Sequence, residues 1–259
     1  MQKNNLPIGV FDSGVGGVSV LRHLIRIMPN ENYIYLGDSK NAPYGTKSHE
    51  EIFLHAQECA SQLLQTGIKA LVVACNTATS VCIDNLRGKY EGTIVVGIEP
   101  ALKPAVTSKK CATVVVMATP LTLKETKFKR LCETYGSQST IIPLPCPGLM
   151  ELVEKGAADE NETRQFLEKC FSGIDVISVD AVVLGCTHYP FVQDSLKAIL
   201  PNATIYDGGE GTARQVKRLL EKADLLTDRD YPGEVEFQNT LNNEKVNKLA
   251  KKLLNQKIR

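Results

Sequence analysis

Short runs of apolar, largely β-branched residues recur along the chain and predict eight strands, at 8–12, 33–37, 70–74, 94–98, 113–118, 140–143, 181–185 and 204–207. Runs of this length, with little polar interruption, suit strands buried on both faces. Helical spacing fills most of the gaps. Ser48-His49-Glu50-Glu51 is a capping box, in which Ser48 and Glu51 each satisfy a free backbone donor. Ile52, Ala56, Cys59, Leu63 and Leu64 follow at helical intervals, and Gly67 closes the helix. The tail, 243–259, reads as a Lys-rich amphipathic helix that turns Val246, Leu249, Leu253 and Leu254 inward. Strands alternating with helices predict an α/β fold: parallel sheets with helices on both faces.

One stretch of wording occurs twice. Ala70-Leu71-Val72-Val73-Ala74-Cys75-Asn76-Thr77 resembles Ala181-Val182-Val183-Leu184-Gly185-Cys186-Thr187-His188. Each is a buried strand ending in a small residue, then a cysteine, then polar residues leading into a helix. The repetition predicts two similar α/β halves facing one another. In open α/β sheets ligands bind beyond the carboxyl ends of the strands. That rule selects Asp12-Ser13-Gly14, 38–45, Cys75-Asn76-Thr77, Ala118-Thr119-Pro120 and Cys186-Thr187-His188.

Composition narrows the function classes. Thirty basic against 29 acidic residues leave a net charge of +1, which gives no polybasic surface for nucleic acid. The apolar runs are strand-sized and too short to cross a bilayer, so no membrane role is expected. The first residues carry no basic-then-apolar export signal, which points to a cytoplasmic protein. Eight cysteines without a C-x-x-C pair suggest neither a disulfide scaffold nor a zinc ribbon. Cys59, Cys82, Cys111, Cys132 and Cys170 read as reduced packing residues.

Cys75 and Cys186 differ from these by position. A cysteine between a strand end and a helix start lies near free backbone donors and the positive end of the helix dipole, which favours thiolate. Two such thiols suit inversion of a carbon stereocentre, with a base on one face and an acid on the other. Asp12 is placed to accept or orient the proton of Cys75, although it could equally cap the helix starting near Gly16. His188, two residues beyond Cys186, would point the same way along an extended strand end and exchange a proton with it. Asp12-Ser13-Gly14-Val15-Gly16-Gly17 lacks the P-loop ending and the dinucleotide spacing, and is read as a carboxylate-holding turn.

Five stretches in order then resemble the glutamate racemases, within the aspartate/glutamate racemase superfamily. They are Ile8-Gly9-Val10-Phe11-Asp12-Ser13-Gly14-Val15-Gly16-Gly17, Gly37-Asp38, Pro43-Tyr44-Gly45, Ala74-Cys75-Asn76-Thr77-Ala78 and Leu184-Gly185-Cys186-Thr187-His188-Tyr189-Pro190. The resemblance implies two parallel-sheet α/β domains in a pseudo-twofold arrangement, 1–97 with 208–259 and 98–207, and an active site between them. It implies no cofactor, no metal, a homodimer, and glutamate as substrate in the supply of D-glutamate for peptidoglycan. Cys75 and Cys186 map to the two thiols, and Asp12, His188 and Glu154 to the auxiliary acids and imidazole. Ser13, Pro43, Tyr44, Gly45, Asn76, Thr77, Thr122 and Thr187 map to substrate contacts. Two stretches depart from the pattern. A Gly-Thr-x-x-Thr segment reads Ala118-Thr119-Pro120-Leu121-Thr122, and Pro-Leu-Val-Glu reads Glu151-Leu152-Val153-Glu154, which leaves Glu151 as a rival to Glu154.

Three other readings use the same residues. One is a racemase of another acidic amino acid such as aspartate. Another is a metal-dependent hydrolase with Cys75, Cys186, His188 and Asp12 as mixed ligands. The third is a non-catalytic ligand-binding module on the same scaffold.

Overall fold

The computed structural model describes residues 3–137, 139–156 and 161–256. The chain opens with β1 (Ile8–Asp12), α1 (Val18–Ile27), β2 (Tyr33–Gly37), α2 (His49–Gln65), β3 (Ala70–Val73), α3 (Asn76–Lys89) and β4 (Ile94–Gly97). It continues through α4 (Leu102–Thr107), β5 (Thr113–Ala118), α5 (Pro120–Lys124), α6 (Thr126–Tyr135), β6 (Thr140–Pro145), α7 (Leu149–Glu154) and α8 (Asn161–Phe171). Then come β7 (Ala181–Gly185), α9 (Gln193–Ile199), β8 (Thr204–Asp207), α10 (Gly209–Lys222), β9 (Val235–Asn239) and α11 (Glu244–Asn255). Contacts divide this string into two units. Met1–Glu99 and Gly209–Leu254 build the first, and Pro100–Gly208 is the body of the second.

In the first unit the strands run β4-β3-β1-β2-β9, all parallel. Every residue of β1, β2 and β3 is buried, as their unbroken apolar runs require. β1 lies in the middle. The chain steps from β1 to β2 on one side, then crosses back over β1 to β3 on the other. Because such crossovers are right-handed, the reversal puts α1 on one face of the sheet and α2 and α3 on the other. α2 and α3 do pack together, and α10 packs on α1. The Ser48–Glu51 capping box forms in full, and Gly67, at φ +80°, ends the α2 turn as the sequence predicts.

The second unit repeats the scheme in smaller form, with order β6-β5-β7-β8, again all parallel. Here the reversal lies between β5 and β7. Val114 and Val116 of β5 and Ala181 and Val183 of β7 share a core with Leu102 and Ala105 of α4 and Phe128 of α6. Pro143 and Pro145 fall on β6, which runs two residues longer than predicted. An edge strand tolerates prolines because one side of its backbone has no partner strand.

β9 was not among the eight predicted strands. Val235-Glu236-Phe237-Gln238-Asn239 alternates apolar with polar, the pattern of a half-exposed edge strand rather than a buried run. The predicted tail helix is α11, which turns Ala250 and Leu253 inward and leaves Val246, Leu249 and Leu254 half-buried. Its predicted last residues, 257–259, lie outside the described residues. Arg22 of α1 donates to the carbonyls of Leu253 and Leu254, occupying acceptors that the end of α11 leaves free.

A buried ion pair ties the first unit's distant pieces together. Lys69, just before β3, sends its ammonium to Glu31 Oε2 at 2.5 Å and to the carbonyls of Asn4 at 2.6 Å and Leu225 at 2.9 Å. Glu31 Oε1 accepts the Thr227 N–H at 2.9 Å. The two side chains are 1% and 2% exposed. Burial pulls the Lys69 pKa down, against the opposing pull of Glu31. Removing one partner leaves a buried charge uncompensated, so Lys69→Met should cost about 3–5 kcal/mol. Urea titrations should show a clearly lowered midpoint for Lys69→Met and partial recovery when Glu31→Gln is added. Equal midpoints for wild type and Lys69→Met would show that the pair contributes nothing.

Candidate active site

Each sheet reverses its winding at one point, and there the connections leaving two neighbouring strands diverge and open a crevice at their carboxyl ends. In the first unit that point lies between β1 and β3, whose ends carry Asp12-Ser13 and Cys75. In the second it lies between β5 and β7, whose ends carry Thr119 and Cys186.

Asp12 is the last residue of β1 and fully buried. Its Oδ2 accepts the Gly14 N–H at 3.0 Å, which shapes the glycine turn. The N-cap position of α1 is Gly17, not Asp12. Gly17 matters for another reason. A Cβ there would lie 2.5 Å from the Asp12 Cβ, so only glycine lets α1 come this close. Cys75 is the N-cap of α3, 5% exposed, and its sulfur accepts the Ala78 N–H at 3.4 Å. Its thiol is also within 3.4 Å of Ser13 Oγ, to which it donates. Asn76 and Thr77 open α3 and are buried. Both amide atoms of Asn76 are shielded from solvent and have no protein partner. A buried amide left unpaired is costly, and a polar ligand would satisfy it.

Pro43, Tyr44 and Gly45 lie beyond the end of β2, where Tyr44–Thr46 forms a single 3-10 turn. Tyr44 is buried, its ring tilted against Phe11 and His55 with centroids 6.2 Å away in each case. Its hydroxyl donates to Asp38 Oδ2 at 2.6 Å. Burial and the adjacent Asp38 carboxylate push the Tyr44 pKa far up, so this proton stays in place. The hydroxyl's proton is thus already engaged, which leaves its oxygen and the neighbouring backbone to meet a ligand.

In the second unit Cys186 follows β7, is 8% exposed, and is not followed at once by an α-helix. A bend leads to a 3-10 turn at Tyr189–Val192, and only then to α9. The expected match between the two cysteine environments stops there. Cys186 has a histidine where Cys75 has a helix start. His188 is helical in backbone (φ −80°, ψ −26°), so it reaches the cysteine through the bend and not along an extended strand as predicted. Its Nδ1 lies 3.8 Å from Cys186 Sγ and its Nε2 3.0 Å from Glu154 Oε1. Burial opposes a charge on this ring. The bonds to Cys186 and Glu154 outweigh burial and raise the pKa to about 10, which favours the protonated ring. Of the two rival acids, Glu154, the last residue of α7, makes this contact, and Glu151 is exposed. Tyr189 fixes the same bend by donating its hydroxyl to the Cys146 carbonyl at 3.1 Å. Thr122 is buried in α5, where Thr119 caps the helix and donates to the Thr122 hydroxyl at 2.9 Å.

Two participants were not singled out from sequence. Asp38 was placed at a strand end without a role, and its signal was an acid spaced to reach both Asn41 and Tyr44. His55, on α2, has its ring 6.2 Å from that of Tyr44 and tilted by 38°. Among the described residues no cluster of three or more His, Cys, Asp or Glu side chains is arranged to hold a metal ion. No helix among them is long and apolar enough to cross a membrane.

The sequence matches the Asp/Glu/Hydantoin racemase family profile over residues 8–216. It is 48% identical over 254 residues to a glutamate racemase of Clostridium acetobutylicum, covering 98% of this chain and 99% of the relative. Identity to a glutamate racemase of Clostridium novyi is 50% over 256 residues, 98% of this chain and 99% of that one. The crystal structure of Francisella tularensis glutamate racemase in complex with D-glutamate superposes with a TM-score of 0.85 at 28% identity, over 99% of this chain and 96% of that one. A glutamate racemase isoform from Bacillus anthracis gives a TM-score of 0.87 at 30% identity, over 98% and 96%. Shared residues along nearly the whole chain and shared parallel sheets place this protein in the Asp/Glu/Hydantoin racemase family.

Proposed function

We propose that the protein is a glutamate racemase that interconverts L- and D-glutamate by proton transfer between two thiols, without a cofactor. The observation that carries this reading is the placement of Cys75 and Cys186, each at the reversal point of its own sheet. Each also has its own proton-handling neighbours. Support comes from relatives named glutamate racemase at about half identity over nearly full length, and from a similar structure holding D-glutamate. The same reading assigns the protein to the cytoplasm, as a homodimer, with D-glutamate going to peptidoglycan.

In one direction the Cys75 thiolate takes the α-proton and the Cys186 thiol delivers a proton to the opposite face. In the other direction the roles exchange. Asp12 and Ser13 serve the first thiol, and His188, held by Glu154, serves the second. Asn76, with both ends of its amide unsatisfied, binds substrate polar groups, joined by Thr77, Thr122, Thr187 and the backbone of 43–45. Donors fixed before substrate arrives stabilise the charge that develops as the proton leaves. Substrate and water compete for the same donors, so excluding water strengthens each contact.

Proton NMR of the reduced protein with L-glutamate in deuterated water should show loss of the α-proton signal, and chiral analysis should show D-glutamate. No exchange in folded, reduced protein would end the assignment. Cys75→Ala and Cys186→Ala should each abolish racemisation, and full activity in either would rule out the two-thiol scheme. Glu154→Gln should lower kcat by about tenfold or more, because His188 loses the carboxylate that keeps it charged and oriented.

The contacts of His188 with Cys186 and Glu154 give stability a pH dependence. The folded-state pKa of His188, about 10, lies above the reference of about 6.5 for an unfolded chain. Its contribution is therefore complete below about pH 6.5 and is lost as pH rises through about 10. The difference in melting temperature between wild type and Glu154→Gln should shrink steadily across that interval. A constant difference would mean that the His188 proton is not linked to folding.

A further inference from the structure

β9 pairs with β2, and its ladder continues one residue past the strand, where the Thr240 N–H donates to the Gly37 carbonyl at 3.1 Å. This puts Thr240 beside the segment leaving β2. Its hydroxyl donates to Asp38 Oδ1 at 2.7 Å and accepts the Lys40 N–H at 3.0 Å. Asp38 is fully buried, and its carboxylate meets neutral donors: Asn41 Nδ2 at 3.0 and 3.1 Å, the Thr240 hydroxyl, and the Tyr44 hydroxyl at 2.6 Å. The Asp38 N–H in turn donates to the Asp12 carbonyl at 2.8 Å. A hydroxyl about 200 residues later in sequence therefore holds one oxygen of the carboxylate whose other oxygen holds Tyr44.

We propose that Thr240 is a positioning residue for the 43–45 segment, acting through Asp38 on Tyr44 and so setting the affinity for the substrate. This rests on the reading that 43–45 contacts glutamate. A buried carboxylate without a cation depends on every donor it has, and losing one lets it rotate towards those that remain. The Tyr44 hydroxyl then has to follow or release it. Beside the clamp lies a cavity of about 320 Å³, with Asp38, Lys40, Glu58, Gln62 and Thr240 in its wall. Water from this cavity could replace a missing hydroxyl after Thr240→Ala. Thr240→Val fills the space and denies the carboxylate both donors, which makes it the sharper test.

Substrate contacts made equally in the ground and transition states show in KM and not in kcat. Thr240→Val should therefore raise KM for glutamate about five- to tenfold, with kcat within about twofold. Thr240→Ser, which keeps the hydroxyl, should restore KM. A residue that only stabilises the fold would move the melting temperature and leave KM unchanged. Tyr44→Phe breaks the same chain at its other end, so adding Thr240→Val to it should raise KM no further. Additive effects would show that Thr240 does not act through Tyr44. Hydrogen exchange over 38–47 supplies a readout that does not need turnover. It should quicken in Thr240→Val and in Tyr44→Phe, and match wild type in Thr240→Ser. Unchanged exchange in Thr240→Val, or an unchanged KM, overturns the proposal. Faster exchange over 38–47 in Thr240→Val, with a wild-type protein that does not racemise glutamate, would fault the substrate reading alone.

Discussion

Parallel strands all deliver their carboxyl ends to one edge of a sheet, and every crossover must be right-handed. A central strand with neighbours added first on one side and then on the other must therefore have helices leaving in opposite directions at that edge. The candidate site depends on that constraint. β1 beside β3 and β5 beside β7 are the two places where it operates, and both thiols lie at these places. The crevice needs no special loop to create it. It also explains the small residues there, since Gly17 admits α1 against Asp12, and a Cβ on Gly185 would come within 2.9 Å of Ala118.

The two thiols are equivalent in element type but not in environment. Cys75 borrows the open end of a fourteen-residue helix and a neighbouring hydroxyl. Cys186 is followed by a bend, and a buried imidazole braced by a carboxylate stands beside it. Backbone donors cannot change protonation state, whereas an imidazole can. The proposed reaction is symmetric in its substrate, yet the groups around the two thiols differ in chemistry.

Much of this was legible in the sequence. The buried strands announce themselves as apolar runs, and the α2 start as a capping box, because both signals are local. The strand-end positions of Asp12, Cys75 and Cys186 followed from the apolar runs that precede them. What escaped was set by partners distant in sequence or by exposure. β9 alternates because it covers an edge, so it lacks the run that marks an interior strand. The route from His188 to Cys186 depends on a bend that residue spacing does not encode. Nothing in Thr240 itself distinguishes it from any other threonine, since its meaning comes from Asp38. Which of Glu151 and Glu154 meets His188 is set by α7, which turns Glu154 towards it and leaves Glu151 exposed.

The order of the units along the chain bears on how the protein is made. Pro100–Gly208, the body of the second unit, is one uninterrupted stretch, whereas the first is completed only by residues beyond it. During synthesis from the N-terminus, domains fold as their residues emerge. Here the strands bearing Asp12 and Cys75 emerge first, yet β9, α10 and α11 come last. Until Leu225 and Thr227 leave the ribosome, Lys69 and Glu31 lack two of the backbone partners that make their burial tolerable. The half that is begun first is thus the half that must wait, holding an incomplete sheet edge at β2, whereas all four strands of the other sheet come from one uninterrupted stretch.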